Sequence, residues 1–258
     1  FESLWFPEHS HIPVSRRTPW GGREGAPRLP DHYWRAHDQF VALAAAAAVT
    51  STLKLATGIT LAAQRDPFWT AKEVASLDVI SGGRVLFGVG YGWNKEEMAN
   101  HGLRYSDRRA ILRENVLAMK ALWTEDEAEF HGDFVDFEPS WAWPKPVQKP
   151  HPPVILGGDA GPKTMQDIVE FCDGWMPIAG RHSFRDKVAD LRRLAEDSGR
   201  DPDSIELALF SAPPKAEVLE GLASEGIARA VLALPQGSPG EVLDALDSYA
   251  LLLDHVGG

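Results

Sequence analysis

The sequence predicts an α/β fold, a parallel sheet closed into a TIM (β/α)8 barrel, on three observations. Short apolar runs alternate with longer amphipathic segments seven times along the chain, which is the pattern of strand–helix units around a parallel sheet. The chain has 258 residues, close to the roughly 250 of one such barrel. Its 44% hydrophobic content is enough for one large core. The expected organisation is a single domain over residues 1–258, with loop insertions at about 10–31 and 125–153.

The elements follow in order. Strands are predicted at Ser3–Phe6, Lys54–Leu61, Arg84–Val89, Val154–Leu156, Trp175–Ala179, Ile205–Phe210 and Ala230–Leu234, where apolar and β-branched residues cluster between turn signals. Helices are predicted at about His37–Val49, Pro67–Ile80, Ser106–Trp123, Pro162–Cys172, Ser183–Ser198, Pro214–Glu225 and Pro239–Leu253, several opening on Pro or an Asp or Ser cap. An eighth unit is expected to precede Phe1, because the chain starts inside a strand pattern. The alternative, an open seven-stranded barrel, leaves an exposed sheet edge. Pro and Gly break the pattern in Ser10–Asp31. In Glu125–Pro153, Phe134, Val135 and Phe137 suggest a small hairpin. Loops that follow barrel strands gather at the catalytic face, so both segments are expected to wall or cover a pocket.

Composition narrows the function. The formal charge of −11 argues against nucleic-acid and membrane-surface partners. One cysteine, Cys172, excludes an internal disulfide and a cysteine metal cluster and fits a cytoplasmic protein. Beyond the His9–Ser10–His11 pair, the histidines show no HxH or HExxH spacing, so no metal is expected. A GxSxG elbow is absent too, which disfavours a hydrolytic triad.

In a barrel, chemistry lies at the carboxyl ends of strands. Those ends are Glu8–His9, Thr60–Asp66, Gly90–Glu97, Gly157–Gly161 and Gly180–His182. His9 beside Glu8 is read as a general acid or a ligand-orienting donor. "GGDAGPKT", Gly157–Thr164, joins a strand to a helix, and its amides suit either a phosphate or a tight glycine turn. "GVGYGWNKEE", Gly88–Glu97, has GxGxG rather than the dinucleotide GxGxxG; close approach of a flat ligand is expected to explain its glycines, with Tyr91 or Trp93 as an aromatic contact. Arg16, Arg17, Arg23 and Arg28 make a basic stretch in the first long loop, read as a solvated face or an anion-binding wall.

The stretch "LATGITLAAQRDPFWTAKEVASLDVISGGRVLFGVGYGWNKEEM" (Leu55–Met98), with "FHGDFVDF", "PKPVQKPHPPVILGG" and "DGWMPIA", resembles the bacterial luciferase-like monooxygenase superfamily, and within it the deazaflavin (coenzyme F-420) dependent oxidoreductases. The resemblance implies a barrel of the luciferase-like type without its first strand–helix unit in this chain. It implies Glu8 and His9 beside the reactive ring, and a non-proline cis peptide behind the ring around Thr57, Gly58 and Ile59. Gly90, Tyr91, Gly92 and Trp93 would flank the ring. Gly157, Gly158, Asp159, Ala179 and Gly180 would receive the phosphate-bearing tail. Trp93 stands where the superfamily's sugar-phosphate dehydrogenases carry a catalytic Glu, which argues against that reaction. The expected activity is hydride transfer between F-420 and a small organic substrate. The alternatives are an FMN-dependent monooxygenase using reduced flavin and dioxygen, and a non-catalytic flavin-binding barrel. A homodimer is compatible with the resemblance.

Overall fold

The computed structural model of the chain describes residues 1–180 and 184–253. Ser183, the expected first residue of one helix, and His182 lie outside them. The chain divides into two compact units, one of residues Glu2–Val154 and one running from Ile155 onward together with Phe1.

In the first unit, β1 (Ser3–Phe6), β2 (Lys54–Thr57) and β3 (Val85–Val89) are parallel, with Ser3 opposite Lys54, Phe6 opposite Thr57 and Leu55 opposite Val85. All five residues of β3 are buried, as a strand covered on both faces requires. The crossovers are α1 (Gln39–Val49) and α2 (Pro67–Ser81), whose starts the sequence marks with Asp38 and Asp66; these carboxylates accept from the amides of Val41 and Trp69, each at 2.9 Å. After β3 come α3 (Lys95–Asn100) and α4 (Arg108–Thr124). Trp123 from α4, 1% exposed, meets the fully buried Phe87 of β3 edge-on at 5.8 Å, and its indole donates to the Ala71 carbonyl of α2 at 3.0 Å. These contacts seat α2 and α4 over the sheet.

The string "LDVISGGR" is a set of structural staples. Asp78, fully buried, accepts from the Val147 and Gln148 amides at 2.8 and 3.0 Å and from the Gln148 carboxamide at 2.7 Å. Gly82 ends α2 at φ 70°, a left-handed cap that favours glycine. Arg84 donates to the carbonyls of Ala47, Thr50 and Leu53, tying the end of α1 to the entry of β2.

The expected hairpin forms from β4 (Ala128–His131) and β5 (Asp136–Ser140), antiparallel. Phe134 and Val135 belong to its turn, because Glu114 of α4 accepts the amides of Asp133, Phe134 and Val135 at 3.0, 2.7 and 3.0 Å and draws them out of the ladder.

In the second unit, β6 (Val154–Gly157), β7 (Gly174–Met176), β8 (Glu206–Phe210) and β9 (Arg229–Val231) are parallel in sequence order. They alternate with α5 (Pro162–Phe171), α6 (Phe184–Asp197), α7 (Ala216–Ser224) and α8 (Pro239–Ala250). Leu156, Ile168, Phe171 and Trp175 form the centre of this core. All seven predicted strands and seven predicted helices are present. Several strands are shorter than predicted: β7 stops before Pro177, which has no amide to donate.

Candidate active site

Glu8 and His9 follow β1, and their side chains take partners on different elements. Glu8 accepts the Leu61 amide at 2.7 Å and pairs with Arg65, which also pairs with Glu73. Burial raises the Glu8 carboxyl above its usual 4.5, only partly offset by Arg65 and the Leu61 amide. For His9, Nδ1 lies 2.7 Å from Oε2 of Glu97 on α3. Their side chains are 7% and 1% exposed. A carboxylate only accepts, so Nδ1 carries the proton of this bond. The ring's other nitrogen, Nε2, has no protein partner among the described residues and is not among the sealed polar atoms. The carboxylate that partners His9 is thus Glu97, not the adjacent Glu8 that the sequence reading paired with it.

Glu97 is held by α3, a helix absent from the sequence reading. Six residues fall short of the window in which 3.6-residue periodicity is legible. The available signal was Asn94 three residues ahead of Glu97, an N-cap spacing: the Asn94 side chain accepts the Glu97 amide at 3.4 Å. Neighbouring Glu96 reaches back to the long loop, accepting the amides of Arg17 and Thr18 at 3.0 and 3.2 Å and the Thr18 hydroxyl at 2.6 Å. Burial opposes ionisation of Glu96, but the Thr18 hydroxyl and the surrounding amides outweigh it and lower its pKa to about 2. The chain from His9 to Thr18 is further fastened by Ser10 to His101 at 2.8 Å and by Asn100 to His11 at 2.9 Å.

Aromatic rings surround His9. Trp93 meets it edge-on at 5.7 Å, and Tyr33 lies at 5.4 Å. Trp20 stands edge-on to Tyr33 at 5.7 Å, and the Arg16 guanidinium covers the Trp93 indole at 5.4 Å. From the Ser10–Asp31 segment, Arg16 and Trp20 touch the neighbours of His9 rather than His9 itself. Tyr91 points elsewhere, with Arg109 stacked on its ring at 4.0 Å and bonded to its hydroxyl at 3.0 Å.

The Gly58–Ile59 peptide is cis, within the Thr57–Ile59 stretch expected to contain such a bond. Thr57 is buried and donates its hydroxyl to the Gly88 carbonyl at 2.7 Å. Two glycines of "GVGYG" have causes inside the protein: a Cβ on Gly88 would lie 2.0 Å from the Thr57 carbonyl oxygen, and Gly92 has φ 75° with Met98 against it. A flat ligand is not needed to explain these two, which corrects the sequence reading. Gly90 donates its amide to Thr60 at 3.0 Å.

In the second unit, Gly158 and Asp159 lead into Gly161, the N-cap of α5. The Gly158 carbonyl accepts the Trp175 indole at 3.1 Å, and the Asp159 carbonyl accepts the Gly161 amide at 2.9 Å. Gly157 closes β6 opposite Met176. Ala179 spends its amide on Phe210 at 2.8 Å, and Gly180 turns the chain at φ 75°.

A carboxylate-held histidine thus follows the first parallel strand of an α/β fold, with the rings of Tyr33 and Trp93 against it. Residues 1–214 match the family of luciferase-like monooxygenases, and the chain belongs to that family. It is 39% identical over 98% of its length to an uncharacterized protein of Mycobacterium tuberculosis, spanning 89% of that protein. It is 30% identical over 81% of its length to an FMNH2-dependent dimethylsulfone monooxygenase of Pseudomonas putida, spanning 58% of it. Its fold resembles an F-420-dependent secondary alcohol dehydrogenase solved with an F-420–acetone adduct, at TM-score 0.65 and 20% identity over 98% of this chain and 82% of that one. An F-420-dependent protein thus shares its fold, and an FMN-dependent one is similar to it in sequence.

Proposed function

We propose that the protein is an oxidoreductase that transfers hydride between F-420 and a small organic substrate. The observation that carries the reading is the His9–Glu97 pair, with Nδ1 held at 2.7 Å and Nε2 left without a protein partner. The deazaflavin ring supplies the hydride chemistry when bound. Gly58, Ile59, Gly90 and Trp93 would border the ring, and the unpartnered Nε2 fits a polar atom of ring or substrate. Glu97 orients the imidazole, so that Nε2 gives or takes the proton that accompanies hydride transfer. Trp93 and Tyr33 exclude water beside it.

The second reading, an FMN-dependent monooxygenase, is favoured by the 30% identity to the Pseudomonas putida enzyme. Fluorescence titration separates the two. The expected result is F-420 bound at least about tenfold more tightly than FMN, about 1.4 kcal/mol, with no oxygen uptake in the presence of reduced FMN. Equal or tighter FMN binding with oxygen uptake selects the monooxygenase. Failure to bind either ring selects a non-catalytic barrel.

A further inference from the structure

We infer that Arg16 selects the substrate of this site and that the substrate is an organic carboxylate with an apolar body. The inference rests on the proposed function, because it takes the surroundings of His9 as the place of reaction.

Arg16 is half-buried and lies over the indole of Trp93, whose edge meets His9; the guanidinium and the imidazole flank the same ring, at 5.4 and 5.7 Å from its centre. One of its five N–H donors is used, by Nη1 on the Thr18 carbonyl. The protein carries 37 Asp and Glu residues, yet no described carboxylate lies within 4.0 Å of Arg16. Glu96, the acid that fastens this segment, is saturated by the hydroxyl and amide of Thr18 and the amide of Arg17. The guanidinium is therefore held in place from below: Glu96 fixes Thr18, and Thr18 fixes Arg16. Its remaining donors form a planar fork, the geometry that receives a carboxylate through two parallel bonds. Trp20, Tyr33 and Trp93 supply an apolar lining for the rest of such a molecule. A merely solvated arginine needs neither the indole under it nor the Glu96 anchor behind it.

Benzoate and its neutral isostere benzamide are the probes, titrated against the protein by tryptophan fluorescence. The wild type is expected to bind benzoate at least about tenfold more tightly than benzamide. Arg16→Gln should erase that preference, and Arg16→Lys, a point charge without the fork, should keep part of it. Equal binding of the two probes by the wild type, or an undiminished preference in Arg16→Gln, overturns the assignment. The cofactor's acidic tail is a second source of carboxylate, so F-420 is compared with its tail-less chromophore. If Arg16→Gln weakens F-420 alone and leaves the benzoate preference, Arg16 serves the tail and the substrate assignment falls. A wild type that prefers benzoate through Arg16 but binds neither F-420 nor FMN would instead remove the proposed function and leave the carboxylate site standing.

Discussion

Glu97 holds Nδ1 of His9 at 2.7 Å across 88 residues of sequence, and the two side chains are nearly closed to solvent. Because the carboxylate fixes one ring nitrogen, the other is directed to a single use. Replacing His9 by Ala is expected to lower turnover about 100-fold if the ring transfers a proton, and to weaken cofactor binding instead if it only anchors. Steady-state kinetics and a cofactor titration on one preparation distinguish the two. Unchanged kcat together with unchanged affinity would make His9 structural.

Glu96 gives the fold an acid-sensitive clasp. Its pKa is lowered to about 2 from 4.5, so it is more readily ionised folded than unfolded, and its contribution is fully present above 4.5 and lost as pH falls toward about 2. Urea denaturation followed against pH should show a shallower loss over that window in Glu96→Gln than in the wild type. Glu241 shifts in the same direction, but it is present in both proteins and cancels. Glu8 has the opposite sign: its raised pKa makes its contribution complete below 4.5 and lost as pH rises through the raised value. Identical acid limbs in the two proteins would contradict the clasp.

Gly88→Ala should destabilise the protein by about 3 kcal/mol, since the new methyl would lie 2.0 Å from the Thr57 carbonyl oxygen. Gly161→Ala, which meets nothing within 4 Å but replaces the N-cap of α5, is expected to cost less, about 1 kcal/mol or under. Denaturant midpoints compared at equal slope test both.

Asp78→Ala leaves the amides of Val147 and Gln148 and the Gln148 carboxamide without their acceptor in a fully buried place. A loss of about 3 kcal/mol or more is expected. Asp78→Asn, which keeps an acceptor oxygen, should cost less; equal costs would mean that packing, not hydrogen bonding, makes Asp78 necessary.

The sequence by itself determined the alternation of strands and helices, the family likeness and the candidacy of His9. These depend on periodicity and spacing within a few residues, and local backbone geometry follows from local sequence. It also located the cis peptide near Gly58, through the likeness. Only the tertiary structure decided the partners. Glu8, next to His9 in the chain, is taken by Arg65, 57 residues away, and Glu97 arrives from a helix too short to leave a periodic trace. The cause of Gly88 is likewise a carbonyl 31 residues away, and a glycine required by a close approach across two strands looks, in one dimension, like a glycine required by a ligand.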